Sequence, residues 1–131
     1  MIAVDSSVWI DFFNGRPTAQ VGMLKQIIRQ QPDQVALVDV VFAEVMQGLR
    51  EDRAWQIDRL LCALPVLRSE WKHDYKAAVG LYRAARKSGF TPRGTGDCLI
   101  AAVCIRADVP LLHCDKNFDR MAQISELSVI R

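Results

Sequence analysis

Four aspartates of this chain occupy positions where a carboxylate has unusual surroundings. Asp5, Asp39 and Asp115 each follow a short apolar run that predicts a buried strand. Asp97 stands at the start of the apolar segment 96–105, which predicts a helix buried on most sides. Two carboxylates 4 Å apart repel by roughly 4 kcal/mol at an effective dielectric of 20, so a cluster of them stays ionised only around a cation. All-oxygen ligation favours a hard ion such as Mg²⁺ or Mn²⁺.

Helix capping is the competing interpretation for each of these aspartates. An aspartate in front of a helix commonly accepts hydrogen bonds from the free N–H groups of the first turn, and each aspartate precedes or begins a predicted helix. The three strand-end acids also have no matching Lys or Arg in the pattern, which favours a cation site. Glu44 shares one narrow side of a predicted helix with Gln47 and Gly48. The pattern does not say whether that side faces the acids or water.

Apolar strands alternate with helices along the chain, which predicts a parallel sheet covered on both faces. Ligands of such sheets bind beyond the carboxyl ends of the strands, where the strand-end aspartates lie. Pro65 assigns its strand to an edge of the sheet. The predicted strands cover residues 1–4, 35–38, 64–67, 110–114 and 127–130, and the predicted helices cover about 6–13, 18–29, 40–49, 52–61, 71–87, 96–106 and 118–123.

The composition fits one domain over residues 1–131 with an ordinary globular balance of apolar and charged residues. The formal net charge of +2 gives no global argument for a nucleic-acid partner. Four cysteines and two histidines lack zinc-ligand spacing, which favours free thiols in a reducing, cytoplasmic compartment. We expect no membrane span, because no apolar run is long enough, and no signal peptide, because the chain enters the predicted strand at Ile2 at once.

Four segments resemble the four motifs of PIN-domain proteins, specifically the VapC-type toxins of bacterial toxin–antitoxin pairs. They occur in order over nearly the whole chain, and together they are far more specific than any one alone. The segments are DSSVWIDF at 5–12, FAEVMQGL at 42–49, DCLIAA at 97–102 and LLHCDKNF at 111–118.

The resemblance implies a PIN-like three-layer α/β/α sandwich around a parallel sheet and a site for Mg²⁺ or Mn²⁺. The catalytic and metal-binding residues that it implies are Asp5, Glu44, Asp97 and Asp115. Ser7 matches a hydroxyl position beside the first acid and is expected to orient it. Asp39 matches no family acid, so it returns to the helix-capping interpretation.

One position departs from the family pattern and leaves the number of bound metals open. The family often carries a further acid where this chain has Asn117, which offers a carbonyl oxygen but no charge. Asp119 lies close by in sequence, and whether it replaces that acid stays open.

The resemblance implies an endoribonuclease that hydrolyses RNA with metal-activated water, a VapB-type antitoxin as partner, and a homodimer of this chain. RNA contacts are expected from the basic segment 68–93, which has seven basic and two acidic side chains and a local net charge of +5. Within it, Arg86, Lys87 and Arg93 lie nearest to Asp97 in sequence and are the predicted RNA-binding residues.

Two alternatives from other functional classes remain. One is a catalytically silent PIN fold that only binds RNA or a partner. Loss of any of the four implied metal-binding acids would indicate it, and all four are present. The other is a phosphoacceptor receiver domain, which shares the length and the acidic strand ends. That class pairs acids after its first strand and carries Lys-Pro after its last functional strand, whereas here Ser6 follows Asp5 and Asn117 follows Lys116.

Overall fold

The computed structural model describes residues 1–130; Arg131, the last residue of the predicted domain, lies outside the described residues. Strands and helices alternate along this part of the chain, as the apolar pattern predicts. The strands are β1 (Ile2–Val4), β2 (Val35–Val38), β3 (Val66–Leu67), β4 (Leu111–Leu112) and β5 (Val129–Ile130). The helices are α1 (Ser6–Phe13), α2 (Ala19–Gln30), α3 (Asp39–Gln47), α4 (Glu51–Cys62), α5 (Trp71–Lys87), α6 (Thr95–Ala107) and α7 (Lys116–Gln123).

The sheet is parallel throughout, with the strand order β3-β2-β1-β4-β5. β1 lies at its centre, where Ala3 is paired with Ala36 of β2 on one side and with Leu111 of β4 on the other. Parallel strands need crossover connections, and the helices supply them and cover the sheet. The predicted α/β/α sandwich is therefore confirmed, and so is the edge position of β3, the strand preceded by Pro65.

Helix α6 is the most deeply buried helix of the fold, with every residue from Asp97 to Cys104 buried. Its lack of a polar face is what predicts this burial. α1 is fixed by aromatic packing: the Trp9 ring is fully buried and stacks on Phe13 with the ring centroids 5.7 Å apart. Asp97 lies in α6, and Asp5 immediately precedes α1. The packing of these two helices in the core therefore sets the positions of two candidate acids.

A buried ion pair joins α6 to the start of α5. The side chain of Asp74 has no exposed surface, and its two oxygens accept hydrogen bonds from Arg106 Nε at 3.0 and 3.1 Å. The N–H of Glu70 donates to the same carboxylate at 2.7 Å, and Arg106 Nη2 donates to the carbonyl of Arg68 at 2.7 Å. Burial by itself would raise the pKa of Asp74, but the hydrogen bonds and charge of Arg106 and the Glu70 N–H hold that pKa below its ordinary value.

Asp39 does not cap its helix, so that prediction is wrong. Val38 is the N-cap residue, and Asp39 is the first residue of α3. One carboxylate oxygen accepts from the N–H of Val40 at 2.8 Å, and the other accepts from both the N–H and the hydroxyl of Ser69 at 2.9 Å. Asp39 therefore ties the segment after β3 to the end of β2, and its oxygens are satisfied there.

The strand predicted over 110–114 is shorter than its apolar pattern suggests, because β4 ends at Leu112. Pairing nevertheless continues at both of its ends, where the N–H of Ala3 donates to Pro110 O at 2.9 Å and the N–H of His113 donates to Ile130 O at 3.1 Å. Within residues 1–130, no helix is both long and apolar enough to cross a lipid bilayer. All four cysteines are free thiols, as predicted.

Candidate active site

The carboxyl ends of β1 and β4 bring two of the predicted acids to one edge of the sheet. Val4 is paired with Leu112 in the register of these strands, and the N–H of Asp5 donates to Leu112 O at 2.9 Å. Asp5 leaves β1 at this point, and Asp115 follows three residues after Leu112. The strand-end rule therefore predicts the correct location for both.

Asp5 combines helix capping with an unused oxygen. Its Oδ2 accepts from the N–H of Ser7 at 3.2 Å and from the Ser7 hydroxyl at 2.6 Å, so that it caps α1. Its Oδ1 is buried and has no hydrogen-bond partner among the described residues. An orphaned buried carboxylate oxygen is costly, and a bound cation would satisfy it. The Cys114 thiol donates to the Ser7 hydroxyl at 3.4 Å and so extends the same network.

Asp115 likewise divides its oxygens between a helix and the site. Oδ1 accepts from the N–H of Asn117 at 2.9 Å and caps α7, and Oδ2 lies 2.7 Å from Arg93 Nη2. The backbone N–H of Asp115 donates to His113 Nδ1 at 2.9 Å, and this imidazole is fully buried. His113 Nε2 lies 3.2 Å from Asp119 Oδ1, so Asp119 faces the buried histidine.

Asp97 is not a helix cap. α6 begins at Thr95 after the N-cap Gly94, which places Asp97 in the third position of the helix. Its side chain is 9% exposed, and Arg93 Nε lies 3.4 Å from its Oδ2. Burial raises the pKa of Asp97, and the negative charges of Asp5 and Asp115 raise it further against the opposing effect of Arg93. Asp97 is thus a carboxylate held among other carboxylates.

Glu44 lies on the side of α3 that faces the acids. Its Oε1 is buried without a hydrogen-bond partner among residues 1–130, and a Cβ built on Gly96 would come within 2.9 Å of its Oε2. Burial is the main cause that raises the pKa of Glu44, joined by the charges of Asp5 and Asp97. The hydrogen bond from Ser6 and the charge of Arg93 act in the opposite direction. Of the two environments that the sequence leaves open for Glu44, the structure shows the one beside the acids.

Arg93 corrects the expectation that the acids have no matching cation. Its guanidinium lies between Asp97 and Asp115, while its side chain is 64% exposed. Burial alone would lower the pKa of Arg93, and the charges of Asp97, Asp115 and Asp5 raise it on balance. Arg93 is therefore a member of the acid group, whereas the predicted RNA-binding residues Arg86 and Lys87 are exposed at the end of α5 without an ion pair to any described residue.

Several contacts in the site could not be predicted from sequence patterns. Ser6 bonds Glu44, and His113 fixes the backbone at Asp115. A serine in a helix-starting segment and a lone histidine in an apolar strand are both ordinary, and only the partner across the fold distinguishes them. Asn117 enters the site through its backbone N–H.

The four acids surround a shared space, but they are not gathered into a ready metal cage. Within residues 1–130, no three His, Cys, Asp or Glu side chains lie together in a way that could hold a metal ion. The donor set nevertheless fits a hard divalent cation, because all four side chains offer oxygen and two of those oxygens, Asp5 Oδ1 and Glu44 Oε1, are buried and unpaired. The guanidinium of Arg93 lies between two of the donors, Asp97 and Asp115.

Comparison with known proteins identifies the fold family. The family model of the PIN domain matches residues 2–124, which is most of the chain. The chain belongs to the PIN-domain family. The resemblance inferred from the four motifs is thereby confirmed, and membership of this family excludes the receiver-domain alternative. Ribonuclease VapC11 of Mycobacterium tuberculosis is 33% identical over 128 residues, which cover 97% of this PIN domain chain and 96% of that protein.

Solved structures agree with the fold of this PIN domain. VapBC2 from Rickettsia felis bound to a DNA fragment from its promoter has a TM-score of 0.77 at 18% identity, with 99% of this chain and 98% of that chain covered. A toxin–antitoxin complex from Klebsiella pneumoniae has a TM-score of 0.73 at 20% identity, with 100% and 97% covered. At these identities the likeness concerns the fold. With its VapC ribonuclease relatives, the chain is a PIN-domain nuclease of the toxin class.

Proposed function

We propose that this chain is the toxin of a VapBC-type toxin–antitoxin pair and hydrolyses RNA phosphodiester bonds as an endoribonuclease dependent on Mg²⁺ or Mn²⁺. The observation that carries the proposal is a group of four carboxylates at one sheet edge, in a chain whose relatives are VapC ribonucleases. Asp5 follows β1, Glu44 lies in α3, Asp97 lies in α6 and Asp115 follows β4 by three residues, so sequence-distant segments supply one donor each.

Asp5, Glu44, Asp97 and Asp115 would hold the divalent cation. Among the described residues two of their oxygens are buried without a partner, and the pKa values of Asp97 and Glu44 are raised, so the site favours uptake of a positive charge. When bound, the metal lowers the pKa of a water molecule and offsets charge that develops on the phosphate.

The neighbouring groups orient these ligands. Ser7 donates twice to Asp5 Oδ2 and leaves Oδ1 available, while the Asn117 N–H fixes Asp115. With Asn117 in place of an acid and Asp119 beside His113, the charge available for a second metal is small, and we propose one metal ion. Arg86 and Lys87 would contact RNA phosphates, because they are exposed and free of acidic partners within the described chain.

The proposal includes a VapB-type antitoxin as the protein partner. It also includes a homodimer of this chain, in which residues 1–131 of each copy form a single PIN domain. The VapBC complexes among the solved structures support the partner. An RNA substrate and four free cysteines support a cytoplasmic location.

The experiment that tests the function is cleavage of a single-stranded RNA by the purified chain with Mg²⁺, with Mn²⁺ and with EDTA. We expect cleavage with either metal, none in EDTA, and none from Asp5→Asn or Asp97→Asn. Glu51→Gln is the matched control, because Glu51 is exposed in the first turn of α4 and should leave cleavage unchanged. Full activity in EDTA would exclude the metal mechanism. Metal-dependent RNA binding without cleavage by the wild type would indicate the catalytically silent alternative.

A further inference from the structure

We propose that Arg93 and the divalent cation compete for the same carboxylate oxygens, so that the Arg93 guanidinium fills the site of the metal-free protein and leaves it when metal binds. The inference rests on the proposed function for the metal. It goes beyond that function by assigning an exchange of cations to one residue of the chain.

The geometry of Arg93 is that of a bridging counter-ion. Nη2 lies 2.7 Å from Asp115 Oδ2, and Nε lies 3.4 Å from Asp97 Oδ2. These acids belong to different helices, since Asp97 is in the first turn of α6 and Asp115 caps α7. The guanidinium thus joins two carboxylates that would otherwise repel, and it does so with the oxygens that a metal would use.

Arg93 is also placed to leave. Its side chain is 64% exposed, and within residues 1–130 its only side-chain partners are carboxylates of the acid group. Arg106 shows the contrast, because it is 27% exposed and is held by the buried Asp74 and by the carbonyl of Arg68. Among the described residues Arg93 has no such backbone anchor, and it reaches the acids from a largely exposed side chain. A divalent cation can therefore displace it without disturbing the core.

A displaced Arg93 stays tethered beside the site, four residues before Asp97. A free guanidinium binds phosphate through parallel hydrogen bonds, and RNA brings a phosphate to the metal. The residue thus exchanges partners, from carboxylates in the empty site to substrate phosphate in the loaded one. Metal binding and RNA binding become coupled, because the metal releases the group that holds the RNA.

The decisive experiment measures Mn²⁺ binding without RNA, by calorimetric titration and by the electron paramagnetic resonance signal of free Mn²⁺. Arg93→Gln removes the competing positive charge and the planar guanidinium group. We therefore expect this variant to bind Mn²⁺ about tenfold or more tightly than the wild type. The metal-free melting temperature of Arg93→Gln should fall because its acids lose their counter-ion, and Mn²⁺ should raise it more than in the wild type. In RNA cleavage, Arg93→Gln should show a raised KM for RNA.

Two variants separate the exchange from general charge effects. Arg83→Gln removes the same charge from the exposed face of α5 and should leave Mn²⁺ affinity within twofold of the wild type. Arg93→Lys keeps the positive charge without the planar guanidinium group, so its Mn²⁺ affinity should lie between those of the wild type and Arg93→Gln. It also serves as the test variant if Arg93→Gln fails to fold.

The outcomes distinguish this inference from the function beneath it. Tighter Mn²⁺ binding in Arg93→Gln, with Arg83→Gln unchanged, supports the exchange. Equal or weaker binding in Arg93→Gln, while the wild type binds Mn²⁺ and cleaves RNA, overturns the exchange and leaves the proposed function intact. Failure of the wild type and of Arg93→Gln to bind Mn²⁺ overturns both.

Discussion

The buried pair between Asp74 and Arg106 gives a stability prediction whose size follows from its contacts. Asp74→Asn keeps the shape of the side chain but removes the charge that faces Arg106 Nε at 3.0 and 3.1 Å. The Arg106 side chain is only 27% exposed, and its guanidinium would be left without its main partner. Breaking a buried ion pair costs about 3–5 kcal/mol, and partial exposure of Arg106 argues for the lower end, about 3 kcal/mol. For a chain of this size that corresponds to a melting temperature lower by about 10 °C.

Urea unfolding followed by circular dichroism measures this cost as a change in the free energy of unfolding. Asp52→Asn is the control, because Asp52 pairs with Arg50 at 3.6 Å with both side chains largely exposed, at 65% and 84%. Exposed pairs contribute at most about 1 kcal/mol, so the control should change little. A loss below about 1 kcal/mol in Asp74→Asn would refute the claim that this pair joins α5 to α6.

The same pair predicts how stability depends on pH. The pKa of Asp74 is lower in the folded chain than its ordinary value of about 3.9, so the folded state releases this proton more readily than the unfolded state. Its contribution is therefore complete above the unfolded pKa and is lost as the pH falls through the folded pKa. Between pH 5 and pH 2, the free energy of unfolding should fall more steeply in the wild type than in Asp74→Asn.

Four further predictions concern the acid group. Glu44→Gln should lower cleavage by orders of magnitude and raise the Mg²⁺ needed for half-activity, and activity equal to that of Glu51→Gln would remove Glu44 from the site. Gly96→Ala should retain the fold but weaken Mn²⁺ binding and cleavage, because the new Cβ would lie 2.9 Å from Glu44 Oε2; Gly80→Ala, whose Cβ meets nothing within 4 Å, should leave both unchanged. Without metal, Asp97→Asn should melt at the same or a higher temperature than the wild type, because burial and the neighbouring acids disfavour the ionised form of Asp97; a clear destabilisation would show that Asp97 serves the fold. The Mn²⁺ affinity of the wild type should rise as the pH passes the raised pKa values of Asp97 and Glu44, because the metal binds the ionised carboxylates.

The strands, the buried helix and the location of the candidate site follow from local patterns. Apolar runs of three to five residues that end in Asp predict both the central strands and the edge where their carboxylates lie, and an apolar helix predicts its own burial. For Asp5 and Asp115, capping and site membership are not alternatives, because one oxygen of each serves the helix and the other faces the acid group or Arg93. The roles of the site residues stay predictions until they are measured.

What the sequence misses depends on side-chain pairing between distant segments. Asp39 ends a strand in the same way as Asp5, and only the arrival of Ser69 from thirty residues away gives it a different partner. Arg93 is one of seven basic residues in a single segment, and nothing in that run marks the one that turns toward the acids. Its partners are the nearby Asp97 and the distant Asp115, so its role depends on how the loop before α6 meets the end of β4.

The place of β4 beside the central strand β1 has a consequence for synthesis of the chain. β1 is made first, yet its neighbour on one side consists of Leu111–Leu112, and Asp115 follows that strand. A ribosome that has reached the middle of the message has translated Asp5 and Glu44 but not the segment that carries Asp115. Contacts of such large sequence separation form late in folding. The carboxylate group is therefore assembled only after most of the chain has been made.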